Sequence, residues 1–368
     1  MHRIVLTWLS TARGGAEKSV VELADHLARF GLGVDVIWWR QGGPPCPAPG
    51  DGVRVLEACD IHTYRRHLAT ALGDGAGAVL ISTQRTVTVD LLHRGAAPVL
   101  SVVHGIIQPD HPLRATDPAS GELVEYPPDA WMSADLRAVD CWVGISSASA
   151  ASIRGVLPAA RVETIFNGVT VPERLPQRPP RGSVLRVAAV ARAVPWKRLE
   201  DIIRAAAHPS LTGGVHLDLY GQVDASTLEA LACEQGLSAT FHGWVEDLPH
   251  RLAGADILVG AALVEGFGRC AIDAAGVGTP AILPRAGAGP EVVLDGLTGI
   301  LYDPHTPGAL VAALRRAVQA DPAELDAMGR AARARARAWF SPQRCAVQYL
   351  DLAHELLARH RHLTGAAA

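Results

Sequence analysis

Short, nearly unbroken apolar runs alternate along this chain with stretches whose apolar residues recur every three or four positions. Ile4 to Leu9 is such a run, and after Gly14-Gly15 the residues Ala16, Val20, Leu23, Ala24 and Leu27 fall at helical spacing until Gly31 interrupts them. Further runs follow at Val34 to Trp39, Ala78 to Ser82, Val99 to His104, Cys141 to Ser146 and Val162 to Phe166. Runs so nearly continuous in apolar residues are those of strands buried on both faces, so the pattern predicts a parallel sheet wrapped in helices. The stretch from His104 to Asp129 is polar, proline-rich and without a usable period, and loops of that length are usually functional or mobile.

A boundary falls at Val171 to Ser183, VPERLPQRPPRGS, whose prolines hold the chain extended and outside any sheet interior. Beyond it the alternation restarts, with strands predicted at Val184 to Ala191, Leu217 to Gly221, Ile257 to Ala261 and Ala281 to Pro284. Helices are predicted over Trp196 to Ala207, Ser226 to Glu234, Gly268 to Ala275 and Ala309 to Val318. The expected organisation is an α/β domain over 1–172, a proline-rich linker over 173–183, a second α/β domain over 184–340 and a helical tail over 341–368. Both domains read as Rossmann-like, doubly wound parallel sheets. The arginines 330, 333, 335 and 337 beside Trp339 read as a solvated helix face.

Composition narrows the possibilities. With 368 residues, 49% hydrophobic and 19% charged, the chain has material for two cores and is not disordered. A formal charge of −3 supplies no general attraction to nucleic acid or anionic lipid. Six cysteines without paired spacing fit a reducing compartment rather than a disulfide framework. The apolar start is short, lacks a cleavage site and meets Arg13 and Glu17, so it reads as a strand and not a signal peptide. No uncharged apolar run approaches the roughly 18 to 20 residues of a membrane span. A cytoplasmic protein, at most peripheral to a membrane, is expected. Lys18 and Lys197 are the two lysines, every other basic residue being arginine, so each lysine position calls for a reason beyond solvation.

In parallel sheets of this kind ligands bind beyond the carboxyl ends of the strands. Gly14-Gly15 sits there after the first strand, where a helix start offers backbone N–H groups to a phosphate, although a tight turn needs the same residues. Arg192 and Lys197, in ARAVPWKRLED, follow the first strand of the second domain. A guanidinium and an ammonium five residues apart suit a diphosphate. Cations are disfavoured at a helix N-terminus, so Lys197 implies an anion that holds it. Glu265-Gly266-Phe267-Gly268-Arg269 opens a further helix with Asp273 two turns on. One carboxylate can meet sugar hydroxyls and the other a ribose, with phosphates on the N–H groups of residues 267–269, whereas simple capping would explain Glu265 without the glycines. Gly287-Ala288-Gly289 with Glu291 is a weaker helix start of the same kind.

Taken together, GGAE at 14–17, VHG at 103–105, FNGV at 166–169, the Arg192 and Lys197 pair, HGWVED at 242–247, EGFG with Asp273, and GAGPEVVLDGLTGILY at 287–302 resemble glycosyltransferase family 4. The resemblance spans nearly the whole chain. It implies a GT-B fold, with two Rossmann-like domains facing a cleft and the last helix crossing back to the first. It also implies retaining transfer from a nucleotide-activated sugar, as in bacterial family members. By position, Arg192 and Lys197 neutralise the donor diphosphate, Glu265 holds sugar hydroxyls and His104 lies near the reacting carbon. Gly14 and Gly15 approach the phosphate, while Val245, Gly266, Phe267, Gly268 and Arg269 line the donor site. Three positions depart from the family pattern: Asp273 stands for a second, longer glutamate at the ribose, Ala191 for a glycine before the arginine, and Arg198 for a glycine after the lysine.

No Asp-x-Asp motif is present, so no metal and no bound cofactor are expected, the cations performing that electrostatic task. The expected donor nucleotide is UDP and the expected acceptor a small hydroxylated molecule or natural product. A nucleotide-sugar epimerase or hydrolase of the same fold, a nucleotide-sugar-binding regulator and a lipid or envelope glycosyltransferase are the alternatives.

Overall fold

The nearly unbroken apolar runs become the strands of two parallel sheets in the computed structural model, which describes residues 1–11, 14–178, 182–221 and 225–364. The chain divides into unit 1, residues 1–168 with 342–368, and unit 2, residues 169–341. Unit 1 contains β1 (Arg3–Ser10), α1 (Gly15–Ala28), β2 (Gly33–Arg40), β3 (Val53–Ala58), α2 (Ile61–Leu72), β4 (Ala78–Thr83), α3 (Val87–His93), β5 (Val99–Val103), β6 (Leu113–Thr116), β7 (Leu123–Tyr126), α4 (Ala134–Arg137), β8 (Cys141–Gly144), α5 (Ser147–Val156) and β9 (Val162–Thr164). Its main sheet runs β3-β2-β1-β4-β5-β8-β9, parallel throughout. The strand order reverses between β1 and β4, the kind of point at which such sheets bind ligands.

The stretch after His104 is not wholly irregular, since β6 and β7 pair antiparallel within it. Two four-residue strands are too short to print a period. They are tied down through Thr116, whose N–H donates to the Arg85 carbonyl at 2.9 Å and whose carbonyl accepts from the Thr88 hydroxyl at 2.6 Å.

Unit 2 contains β10 (Leu185–Val190), α6 (Leu199–Ala206), β11 (Val215–Tyr220), α7 (Ala225–Glu234), β12 (Ala239–Gly243), α8 (Leu248–Ala253), β13 (Ile257–Val259), α9 (Arg269–Gly276), β14 (Ala281–Pro284), α10 (Gly289–Val292), β15 (Gly299–Tyr302), α11 (Ala309–Gln319) and α12 (Pro322–Trp339). Its sheet, β12-β11-β10-β13-β14-β15, is again all parallel and reverses at β10. Leu185, Val187, Leu217, Leu219, Ile257 and Ile282 pack with Ile202, Ile203 and Leu314 into one core.

The chain then continues as α13 (Pro342–Thr364), which belongs to unit 1. Cys345, Tyr349, Leu352, Ala353 and Leu356 recur along it every three or four residues and are buried. Its outer side is fastened where Glu355 receives the Arg161 guanidinium bidentately at 2.7 and 3.0 Å. No described helix is long and apolar enough to cross a membrane.

The proline-rich stretch 173–183 falls within unit 2, although Pro179, Pro180 and Arg181 lie outside the described residues. Arg178 donates to the carbonyls of Ala255 at 2.8 Å and Gly278 at 3.2 Å. The arginine run of α12 departs from a uniformly solvated face. Arg333 reaches the carbonyls of Gly276, Pro172 and Glu173, and Arg335 those of Glu291 at 2.6 Å and Val292 at 3.3 Å. Cations at the carbonyl ends of α9 and α10 complement the negative pole of each helix, whereas Arg330 and Arg337 remain exposed.

A polar network lies inside unit 1. The fully buried Asp90 accepts from the hydroxyls of Ser82 at 2.6 Å, Thr7 at 2.7 Å and Tyr64 at 2.5 Å. Burial raises its pKa, the hydroxyls opposing that shift without cancelling it. A carboxyl whose folded pKa is raised gives its full stabilisation below the unfolded value and loses it as pH rises through the folded one. Asp90→Asn, which cannot ionise, is therefore expected to be more stable relative to the native chain at about pH 7 than at about pH 4.5. Asp90→Ala is expected to cost at least about 1 to 3 kcal/mol at either pH, the penalty for buried hydroxyls left unpaired. Urea unfolding of the three proteins at both pH values checks these outcomes.

Candidate donor site

At the point where strand order reverses in unit 2, the carboxyl ends of β10, β13 and β14 open into a pocket of ≈ 560 Å³, counting its mouth. Its walls come from Val190 and Ala191 after β10, the segment from Leu258 to Ala262 around the end of β13, and Leu283 and Pro284 of β14. Leu199 and Ile202 of α6 and Phe267, Gly268, Cys270 and Ala271 at the start of α9 complete it, together with Lys197 and Glu265. The lining is apolar except where Lys197 and Glu265 face each other.

The local sequence explains how those two charges meet. Pro195 begins a single 3-10 turn over Pro195–Lys197, closed by the Lys197 N–H to the Val194 carbonyl at 2.9 Å. Arg198 then adopts a left-handed backbone, φ 52°, before α6 starts. The helix expected from Trp196 is thus broken at Arg198, and Lys197 ends a turn rather than starting a helix. Its ammonium forms an ion pair and hydrogen bond with Glu265 Oε2, with 16% and 26% of the two side chains exposed. The anion that the position of Lys197 implied is supplied by the carboxylate of Glu265.

Glu265 has a second task. Its Oε1 accepts from the Gly268 N–H at 3.2 Å, so it also caps α9, and that N–H does not face outward as expected. Gly268 itself takes φ 78°, a conformation that glycine adopts without a Cβ penalty. The Gly287 loop supports the same residue from behind. Ala288 N–H donates to the Glu265 carbonyl at 2.9 Å, and a Cβ on Gly287 would lie 2.6 Å from that oxygen. The second glycine-rich segment opens the short helix α10, as expected, and at the same time holds the Glu265 backbone.

The remaining expected residues distribute unevenly. Phe267 is buried edge-on to Phe340, with ring centroids 5.8 Å apart, and Gly266 is buried without lining the pocket. Arg192 is exposed and outside the lining. Asp273 also lies outside it, its carboxylate 3.7 Å from Arg269 one turn earlier on α9. Val245 follows β12 and does not line the pocket either. Its strand is anchored by His242, which meets Asp218 at 2.6 Å and stacks on Tyr220. Cys270 was not singled out from the sequence although it lines the pocket. Burial pushes its thiol up to about 11 against the opposing pull of Lys197, so it is a protonated wall rather than a nucleophile at neutral pH.

Unit 1 carries the other three expected residues. Gly14 precedes α1 with extended backbone and no side-chain cap, and Gly15 is the first helical residue. His104 follows β5 with its ring edge-on to Trp8, centroids 5.1 Å apart. Its Nδ1 is buried and has no hydrogen-bond partner among the described residues. Burial, then the charge of Arg85, lowers its pKa to about 4. His104 is accordingly a neutral imidazole at physiological pH, able to exchange hydrogen bonds but not to supply charge.

The comparisons with known proteins agree with this architecture. Residues 13–172 match the family model described as Glycosyltransferase Family 4, and residues 175–335 match that of Glycosyl transferases group 1. The chain belongs to the family 4 glycosyltransferases and has the GT-B fold. It is 34% identical over 181 residues to the MMP alpha-(1->4)-mannosyltransferase of Mycolicibacterium hassiacum, covering 47% of this chain but only 44% of that protein. It is 28% identical over 338 residues to the D-inositol 3-phosphate glycosyltransferase of Mycobacterium sp. strain KMS, covering 80% of this chain and 75% of that one. Among solved structures, Anabaena HepE in complex with UDP and glucose superposes with TM-score 0.74 at 18% identity, over 96% of this chain and 100% of that one. Sucrose-phosphate synthase from Thermosynechococcus elongatus gives 0.77 at 21% identity, over 98% and 100%.

The departure at residue 198 now has a physical meaning, because a left-handed backbone favours glycine and costs an L-residue about 1 to 2 kcal/mol. Arg198→Gly removes that strain, adds roughly 0.5 to 1 kcal/mol of backbone freedom to be lost and forfeits a surface pair with Asp201 worth about 0.2 to 0.5 kcal/mol. The expected outcome is a stability between about 0.5 kcal/mol lower and about 1 kcal/mol higher, and Arg198→Val, β-branched, should be clearly destabilised. Equilibrium unfolding in urea distinguishes the two.

Proposed function

We propose that this glycosyltransferase transfers sugar from a nucleoside-diphosphate sugar, with retention of configuration and without a metal ion, to a hydroxyl of a small acceptor. The carrying observation is the Lys197–Glu265 pair at the mouth of an otherwise apolar pocket beyond the strands of unit 2. A donor brings the complementary groups: a diphosphate to take the ammonium and sugar hydroxyls to take the carboxylate. Arg192, exposed nearby in sequence, adds a guanidinium for the phosphates. Asp273, held beside Arg269, is assigned to the ribose.

UDP is the proposed nucleotide, supported by the complex of HepE with UDP and glucose. A GDP donor is the second reading, because one relative is named as a GDP-mannose-dependent mannosyltransferase. The acceptor is assigned to unit 1, with Gly14, Gly15 and His104 on its side. A small polyol or sugar fits the naming of relatives for D-inositol 3-phosphate. Transfer proceeds on one face of the sugar: the glycosidic bond to the diphosphate breaks, the acceptor oxygen bonds to the same carbon, and the departing phosphate takes the acceptor proton. Catalysis then rests on placement and on cations that stabilise the leaving charge, with no side-chain nucleophile. Such an enzyme works in the cytoplasm, where nucleotide sugars are made, in free solution or in peripheral contact with a membrane.

Lys197→Ala and Arg192→Ala are each expected to lower transfer from UDP-sugar by about 10²- to 10³-fold, as loss of one transition-state electrostatic partner does. Activity in excess chelator should stay intact. The check is a rate assay with UDP- and GDP-sugars over a panel of polyol acceptors. Near-native rates in both folded variants would remove the donor assignment, and loss in chelator restored by magnesium would remove metal independence.

A further inference from the structure

The geometry points to Trp196 as the residue that positions the Lys197 ammonium. Lys197 Nζ lies 4.2 Å from the centroid of the Trp196 ring, so the cation has two partners, the indole face and the Glu265 carboxylate. Trp196 keeps 40% of its surface exposed. An indole left in water forfeits burial energy, and its attraction for a cation above the face offsets part of that loss.

The two partners act differently on the charge. Glu265 neutralises it, which opposes capture of a diphosphate. The indole attracts it through the ring quadrupole and leaves the full positive charge available. The backbone favours the contact, because the turn from Pro195 is closed by N–H groups of Lys197 and Arg198 at 2.9 and 3.0 Å. That turn, ending in the left-handed Arg198, fixes the neighbouring Cα positions of Trp196 and Lys197. When a diphosphate competes with Glu265 for the ammonium, the ring retains the cation at the pocket mouth and limits the freedom of a four-carbon stem. This role in ligand binding rests on the donor reading of Lys197; the contact itself does not.

The composition of the chain makes the test selective, since Lys18 and Lys197 are its two lysines. In full-length protein labelled with ¹³C at lysine, with signals assigned through Lys18→Arg, the Lys197 side-chain methylene resonances are expected to be displaced upfield by the indole ring current. Trp196→Leu should return them to ordinary lysine positions, and Trp196→Phe should keep part of the displacement. Calorimetric titration with UDP should show about two- to fivefold weaker binding in Trp196→Leu, partly restored in Trp196→Phe. Undisplaced Lys197 resonances in the native chain, or ones indifferent to Trp196→Leu, overturn the proposal, as does a lost displacement with unchanged UDP affinity. If the displacement behaves as stated while neither the native chain nor its variants bind UDP, the contact stands and the UDP assignment falls.

Discussion

An ammonium and a carboxylate that are mostly removed from water hold each other at the pocket mouth of unit 2. Neither could stay there alone, because a desolvated charge without a partner costs several kcal/mol, in order of magnitude. The surrounding structure is arranged to make the pair possible: a proline-initiated turn and a left-handed Arg198 deliver Lys197, while the α9 cap and the Gly287 loop fix Glu265. On the proposed function the same pair receives the donor: the diphosphate takes the ammonium and the sugar hydroxyls take the carboxylate.

The parallel sheet explains why the pair sits where it does. With β10 at the point of reversal, the segments leaving β10 and β13 diverge to opposite faces and leave an opening that neither fills. Apolar residues from three strand ends wall it, which keeps water away from the charges and strengthens their interaction. Unit 1 repeats the sheet design with different furnishings. Its reversal lies between β1 and β4, its internal polar network centres on Asp90, and its neutral His104 stands after β5.

Much of this was legible in the sequence. Strands such as Ala78 to Ser82 and Ile257 to Ala261 announce themselves because burial on both faces leaves almost no polar interruption. The Arg192, Lys197 and Glu265 segments stand out through residue types that a turn or cap alone does not require. Other features were not legible. The β6–β7 hairpin and β12 are short or half-polar, and β3 lies at a sheet edge with Arg54 and Glu57 exposed, so each lacks a continuous apolar run. The break at Arg198 is written in Pro195 and in the missing glycine, but its left-handed backbone needs coordinates to be seen. Contacts distant in sequence, such as Arg333 with Pro172 or Thr7 with Asp90, leave no local signal.

On the proposed function, Lys197 exchanges one anion, the Glu265 carboxylate, for another, the donor diphosphate. Calorimetric titration of UDP against the native chain and Glu265→Gln measures that exchange directly. Glutamine keeps the shape of the side chain and removes the charge that competes for the ammonium. Tighter UDP binding is expected in Glu265→Gln together with impaired sugar transfer, because the competing anion has gone while the group that holds the sugar has been weakened. Equal or weaker UDP binding in a folded Glu265→Gln chain would contradict it.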